Sequence, residues 1–254
     1  MRREKGKSKF ENSTSAESRQ FKNQNSKIKT PIALAIHSPL PVGERWRGAL
    51  TIKRMKTFFN VNDLGNLQQA LAEAQEVKNN RFGFQHLGKN KTLLMIFFNN
   101  SLRTRLSTQK AAMNLGMNVI VLDVNAGAWK LETERGVIMD GDKSEHLLEA
   151  IPVMGSYCDL IGIRSFAGLT DREFDYAETI VNQFVKYSGR PVFAMETATV
   201  HPLQAFADLI TIEEHKTVAR PKVVLSWAPH CRALPQAVPN SFAEWMNAAD
   251  VDFD

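Results

Sequence analysis

The rhythm of hydrophobic and polar positions changes several times along the chain. VNDLGNLQQALAEAQEVKNN (61–80) carries Leu64, Leu67, Leu71 and Ala74 at helical spacing, so it predicts an amphipathic helix. KTLLMIFF (91–98) is a nearly continuous apolar run, short enough for a strand buried on both faces. The pattern then predicts a helix over about 102–115, a strand VIVLD (119–123), a loop and a helix over about 143–155. A strand DLIGIR (159–164), a helix over about 172–187, a strand PVFAM (191–195) and a helix over about 200–215 follow. KVVLSWA (222–228) predicts a last strand and residues 240–249 a last helix. Strand–helix alternation of this kind predicts an α/β fold, a parallel sheet flanked by helices on both faces.

Charge divides the chain at one point. Residues 1–54 hold 13 Lys/Arg against 4 Asp/Glu, whereas residues 55–254 hold 19 against 23. The alkaline balance of the whole therefore belongs to the first segment, and a nucleic-acid partner is expected only if that segment supplies the binding surface. Residues 1–30 are polar, basic and without period, which predicts disorder. They do not interleave aromatic and basic residues as a base-stacking surface does, so no nucleic-acid partner is expected. The patterned sequence starts at Met55. Residues 1–54 are accordingly expected to be a disordered basic extension outside the native protein.

Two cysteines, Cys158 and Cys231, exclude a disulfide framework and a cysteine-cluster zinc site. No apolar run reaches the roughly 20 residues that span a bilayer, so no membrane partner is expected. With no signal-peptide core, the expected location is the cytoplasm.

Ligands in such sheets bind beyond the carboxyl ends of the strands, and three segments put polar residues there. FFNNSLRTRLS (97–107) runs from a strand end into a helix start. Ser101 can cap that helix, the free N–H groups of its first turn favour an anion, and Arg103 and Arg105 add guanidinium forks suited to phosphate. A capped, solvated helix start explains the same residues without a ligand. Arg164 closes the strand DLIGIR, where a surface ion pair is an equal alternative. METATVHPLQ (195–204) delivers Glu196, His201 and Gln204, with Pro202 suited to the first helical turn. His201 and Gln204, three apart, share a helix face and can hydrogen-bond a carbonyl oxygen and an amide NH2. A lone histidine is more often structural.

SLRTR followed by Ser107, the strand-end Arg164, and HPLQ with Asp208 downstream together resemble the aspartate/ornithine carbamoyltransferase family, from near Met55 to residue 254. The subgroup resembled acts on N-acylated ornithine, the succinyl type more than the acetyl type. The features that point to it are Trp129 in the loop NAGAWKLETERG (125–136), Ala194 seven residues before His201, where ordinary ornithine enzymes carry Asn, and Glu196 five before it. The acetyl type carries an acid where this chain has Ser144. An acid there would repel a succinyl carboxylate, and Ser144 beside Lys143 would not.

The resemblance implies that Ser101, Leu102 through its N–H, Arg103 and Thr104 cradle the phosphate of carbamoyl phosphate. Arg105 would pair internally. Thr104, Arg164 and His201 would act on the carbamoyl oxygen as the catalytic donors, and Gln204 on the carbamoyl nitrogen. Glu196 and His230 would hold the N-acylornithine. Trp129, and Lys143 likewise, would reach a neighbouring subunit's site in a homotrimer, although a buried core Trp is the plain alternative. No metal, cofactor or covalent intermediate is implied.

Residues 55–203 would form the carbamoyl-phosphate-binding domain. Residues 204–254 would hold the crossing helix and the start of an incomplete second, ornithine-binding α/β domain, with its last helix left no sheet to cover. HCRALP (230–235) superficially resembles the family's H-C-L-P signature but comes too early and is interrupted. Its absence makes a truncated chain the expectation. A non-catalytic carbamoyl-phosphate-binding fragment is the alternative to an active carbamoyltransferase of arginine biosynthesis.

Overall fold

A computed structural model describes residues 55–124, 129–231 and 234–254. The expectations for residues 1–54, for the start of the loop at 125–128 and for residues 232–233 lie outside the described residues. Strand β1 (Thr57–Phe58) comes first, then a 3-10 turn at Val61–Asp63 and helix α1 (Leu67–Asn79). The expected helix over 61–80 is thus two elements. Asn66 accepts the N–H of Gln69 and starts α1 six residues later than its apolar spacing suggests. Leu64 is buried in the connection, and the helix's buried positions are Ala70, Ala74 and Val77.

After a single turn, α2 (Gln85–Gly88), strand β2 (Thr92–Phe97) leads into α3 (Leu102–Asn114) and β3 (Asn118–Asp123). Two short strands, β4 (Leu131–Glu132) and β5 (Glu145–His146), pair with each other, and α4 (Leu147–Ser156) follows directly. Then come β6 (Leu160–Arg164), α5 (Arg172–Tyr176), α6 (Thr179–Tyr187), β7 (Val192–Glu196) and α7 (Pro202–His215). The single helix expected over 172–187 breaks where Glu178 takes left-handed backbone angles (φ 48, ψ 42).

The central sheet has the order β1-β7-β6-β2-β3, and every pairing in it is parallel. The chain leaves β2 toward β3 on one side and later returns to β6 on the other. The order therefore reverses between β2 and β6, and the connections on either side diverge there and leave a crevice. Alternate residues of β2 serve two cores. Leu93, Met95 and Phe97 pack with Ala111 and Ala112 of α3, Leu203, Phe206 and Leu209 of α7, and Trp245 further on. Leu94 and Ile96 pack with Leu147 and Ile151 of α4 and with Val181 and Phe184 of α6. This double burial is why the strand reads as an unbroken apolar run rather than an alternating one.

Beyond α7 lie β8 (Lys222–Val223), α8 (Ala237–Ala248) and β9 (Asp252–Phe253). β8 and β9 pair in parallel as a separate two-stranded sheet, so Asp252 and Phe253 of the final VDFD form a strand. Helix α8 is not left bare: it packs on α7 and buries Trp245 and Met246. The strand expected over 222–228 is observed only over Lys222–Val223, which pair with Asp252 and Phe253, and one further bond runs from Leu225 N–H to Asp254 O. Val224 and Trp227 beyond it are exposed. Among the described residues, no helix is long and apolar enough to cross a membrane.

The layers on the α4–α6 side touch at backbone distance. A Cβ built on Gly155 would lie 2.1 Å from the carbonyl oxygen of Ser188, and Arg190 Nε donates to Gly155 O at 2.7 Å. Gly155→Ala is therefore expected to destabilise the fold by about 1–3 kcal/mol, the usual cost of overpacking. Urea unfolding measures it, and an unchanged midpoint would contradict this packing.

Candidate functional site

The loops that leave β2, β6 and β7 meet at the crevice. Phe98 N–H donates to Arg164 O, and Ser165 N–H to Glu196 O, each at 2.9 Å, so the three strand ends are tied edge to edge. Asn99 adds a side-chain tie, its Oδ1 accepting Phe166 N–H at 2.7 Å. Register matters here. Ile163 lies opposite Ala194, but Arg164 lies opposite Glu196, so the ladder slips by one residue. An unbroken ladder would set Arg164 against Met195, whose side chain belongs to the α3–α7 core. The slip, a bulge-like feature of the kind that re-aims side chains at sites, sets two charged residues side by side instead.

Arg164 and Glu196 are both buried. Nη1 of Arg164 donates to Glu196 Oε2 at 2.5 Å and to Thr104 Oγ1 at 3.2 Å. The guanidinium lies 4.3 Å from the ring centroid of Phe166. Its Nε has no hydrogen-bond partner. Burial pushes the arginine's pKa down from its ordinary value while Glu196 acts to hold it up. Burial likewise raises the carboxyl of Glu196, against the pull of Arg164. Each charge is kept in a poorly solvated place chiefly by the other.

His201 caps α7. Its Nδ1 accepts the N–H of Gln204 at 3.3 Å, which assigns the imidazole proton to Nε2. Nε2 in turn lies 3.6 Å from Glu196 Oε2, the same oxygen that Arg164 holds. Burial, with the Arg164 charge beside it, pushes the His201 pKa down to about 4, so the ring is a neutral N–H donor at ordinary pH. Gln204 Nε2 donates to Asp208 Oδ1 at 2.8 Å. A carboxylate accepts only, so the amide is turned with its oxygen as the remaining acceptor.

Across the crevice, Ser101 caps α3 by accepting the N–H of Thr104 at 3.3 Å. The helix itself offers no acceptor to the N–H groups of Leu102 and Arg103, which leaves an anion-favouring end. Leu102 and Arg103 are exposed, and the Arg103 charge is felt at Arg164. Arg105 turns away from it. It pairs with Asp123 at the end of β3 and lies 4.5 Å from the ring centroid of Phe97.

The structure thus brings Ser101, Thr104, Arg164, Glu196, His201 and Gln204 into one chain of contacts, with Leu102 and Arg103 at its edge. Trp129 and His230 stand on other segments. Trp129 is 65% exposed, which rules out a core role, and its Nε1 donates to Glu145 Oε2 at 2.9 Å. The exposed Ser144 is next to it, its N–H donating to Lys130 O at 2.9 Å. His230 does not follow a strand over 222–228. It lies on an exposed segment seven residues past β8, because that strand stops at Val223. Three orienting residues carry no signal of their own in the sequence. Glu178 accepts from Thr197 and Thr199, and Ser241 and Asn240 of α8 hold His201 N–H and Thr199 O.

The model of one family, described as "Aspartate/ornithine carbamoyltransferase, carbamoyl-P binding domain", matches residues 56–214. The N-succinylornithine carbamoyltransferase of Bacteroides thetaiotaomicron is 75% identical over 199 residues, 78% of this chain and 63% of its own length. The N-acetylornithine carbamoyltransferase of Xylella fastidiosa is 38% identical, over 74% of this chain and 56% of its own. Among solved structures, a glutamate-to-serine variant of N-acetyl-L-ornithine transcarbamylase, complexed with carbamyl phosphate and N-succinyl-L-norvaline, superposes with a TM-score of 0.67. It is 39% identical and covers 74% of this chain and 57% of its own. The chain spans less than two thirds of the length of each of these relatives.

The depressed His201 pKa has a sign for stability. The unfolded histidine takes up its proton near 6.5, whereas the folded one does so at about 4. The unfolded chain therefore binds more protons between those values, and His201 makes the fold lose stability as pH falls from about 6.5 to about 4. NMR titration of the imidazole is expected to show no protonation above pH 5. A midpoint near 6.5 would contradict the buried, Arg164-facing placement.

Proposed function

We infer, from the fact that this chain belongs to the aspartate/ornithine carbamoyltransferase family, that its crevice holds carbamoyl phosphate for transfer to an N-acylated L-ornithine. The products are the N-acylcitrulline and phosphate, in arginine biosynthesis. One observation carries the proposal: Arg164 and His201 face a single oxygen position, now filled by Glu196 Oε2, and Thr104 is bonded to Arg164, at a switch point bordered by the N-terminus of α3. A phosphate sits against Ser101, the N–H groups of Leu102 and Arg103, and the Arg103 guanidinium. The carbamoyl oxygen takes the donors now turned to Glu196, namely Arg164 Nη1 and His201 Nε2–H, with Thr104 Oγ1 beside them. Gln204 accepts from the carbamoyl NH2 through Oε1, the orientation that Asp208 imposes.

The δ-amine of the acceptor bonds to the carbamoyl carbon, and its proton goes to the departing phosphate. The carbon–oxygen bond to phosphate breaks, and its electron pair leaves with the phosphate. Negative charge that builds on the carbonyl oxygen is met by a guanidinium and a neutral imidazole N–H that are already in place, as in an oxyanion hole. Positioning two substrates side by side supplies much of the remaining acceleration. Glu196, released from Arg164, is the residue at the crevice suited to hold the acceptor, with His230 as a second candidate from its exposed segment. The exposed Trp129 and Lys143 enter a neighbouring subunit's crevice in a homotrimer. Leu102, Leu106 and Met113, exposed along α3, give such an assembly an apolar face. The reaction takes place in the cytoplasm, which suits a chain with two unpaired cysteines.

The succinyl group is the favoured acyl group. The 75% identity to a succinylornithine enzyme, against 38% to an acetylornithine one, supports it. So does Ser144 beside Lys143, since an acid in place of Ser144 would repel a succinyl carboxylate and a serine does not.

The test joins this chain to the remaining segment of the Bacteroides relative and follows carbamoyl-phosphate-dependent use of N-succinyl- and N-acetylornithine. Succinyl turnover is expected to dominate, and Arg164→Ala to lower it more than about a hundredfold. An acetyl preference would overturn the acceptor, and near-normal turnover in the variant would overturn the site. Binding without turnover would leave a non-catalytic carbamoyl-phosphate-binding protein.

A further inference from the structure

Glu178 stands outside the crevice, yet its geometry is directed at it. The residue occupies the N-cap position of α6 with φ 48 and ψ 42, a left-handed conformation that a side chain with a Cβ adopts at a cost. Its side chain makes no capping bond to its own helix. One carboxylate oxygen, Oε1, instead accepts three hydrogen bonds: from Thr197 Oγ1 at 2.6 Å, from Thr199 Oγ1 at 2.6 Å and from Thr199 N–H at 2.8 Å. These donors belong to the tight turn Thr197–Val200, itself closed by Thr197 N–H to Val200 O at 2.9 Å. That turn is the whole connection between Glu196 and His201.

The opposite side of the turn is held as well. His201 N–H donates to Ser241 Oγ at 2.8 Å, and Asn240 Nδ2 to Thr199 O at 3.3 Å. Helix α6 through Glu178 and helix α8 through Ser241 therefore grip the turn from two elements. A left-handed residue whose carboxylate leaves its own helix uncapped is what a clamp on another segment requires.

We propose that Glu178 is a positioning residue for the carbamoyl end of the site: it fixes the Thr197–Val200 turn and thereby the spacing of Glu196, His201 and Arg164. The inference rests on carbamoyl phosphate being the ligand of the crevice. It separates two halves of that ligand. The phosphate cradle of Ser101–Arg103 belongs to α3 and is linked to the clamped turn only at a remove, through Thr104, Arg164 and Glu196, whereas the carbamoyl donor His201 hangs directly from it.

The test titrates carbamoyl phosphate and, separately, inorganic phosphate into the chain and its Glu178→Ala and Glu178→Gln variants by calorimetry. Glu178→Ala is expected to weaken carbamoyl phosphate about tenfold, the effect of misplacing one good hydrogen bond, and to leave inorganic phosphate within about twofold. Glu178→Gln, which keeps the shape and one accepting oxygen, is expected to recover part of that loss, to about threefold weaker than the unsubstituted chain. Should the alanine variant fail to fold, the glutamine variant decides alone: a selective loss of about threefold on carbamoyl phosphate supports the clamp, and no loss overturns it. Equal weakening of both ligands, or unchanged carbamoyl phosphate binding in Glu178→Ala, also overturns it. A chain that, before any substitution, binds carbamoyl phosphate no better than phosphate refutes the assignment of the crevice itself, and the clamp falls with it.

Discussion

The buried pair of Arg164 and Glu196 is the interaction around which the functional end of the sheet is arranged. Neither charge belongs at the edge of a core. Each is held there by its partner, at 2.5 Å, and the pair is extended by Thr104 on one side and His201 on the other. Removing either member would leave an unpaired buried charge, the costly situation for such pairs. A buried pair adds little to stability against an apolar pair of similar size. What it secures here is a fixed guanidinium at the carboxyl end of β6, beside the N-terminus of α3 and in reach of a neutral imidazole.

The surrounding structure supplies that fixity. A one-residue slip in register sets Arg164 against Glu196 rather than Met195. Asn99 joins the loop after β2 to the loop after β6. Asp175 accepts the N–H groups of Gly168 and Leu169 at 2.8 and 2.9 Å and shapes the rest of that second loop. Every one of these bonds joins a loop of the crevice to another segment. Donors that must meet charge as it develops gain most when no reorganisation is needed at that moment. The fold invests its side-chain hydrogen bonds accordingly.

Much of this was legible in the sequence because it depends on local pattern. The apolar run 91–98 had to be a doubly buried strand, and Ser101, Arg164 and His201 fall at strand and helix ends that periodicity alone locates. Arg105 pairs away from the crevice, as the family resemblance and not its local pattern implied, and His201, read as sharing a helix face with Gln204, caps α7 instead. What was not legible depends on distant partners. The helix expected over 172–187 breaks at Glu178, whose angles make sense only beside Thr197 and Thr199. The start of α1 is set by Asn66 rather than by its apolar stripe. KVVLSWA has the composition of a long strand, but only Lys222 and Val223 pair with β9, and Trp227 and His230 lie outside the ladder. The slip at Arg164 has no signature in either strand.

The family match and the crevice support one central proposal, that carbamoyl phosphate lies across the switch point with its phosphate toward α3 and its carbamoyl oxygen between Arg164 and His201. A crystal structure of the chain grown with carbamoyl phosphate tests it most directly. The phosphate is expected against Ser101 and the N–H groups of Leu102 and Arg103, with the carbamoyl oxygen displacing Glu196 Oε2 from Arg164 Nη1 and His201 Nε2. Ligand bound elsewhere, or a crevice in which Glu196 keeps both contacts at saturating ligand, would contradict the account.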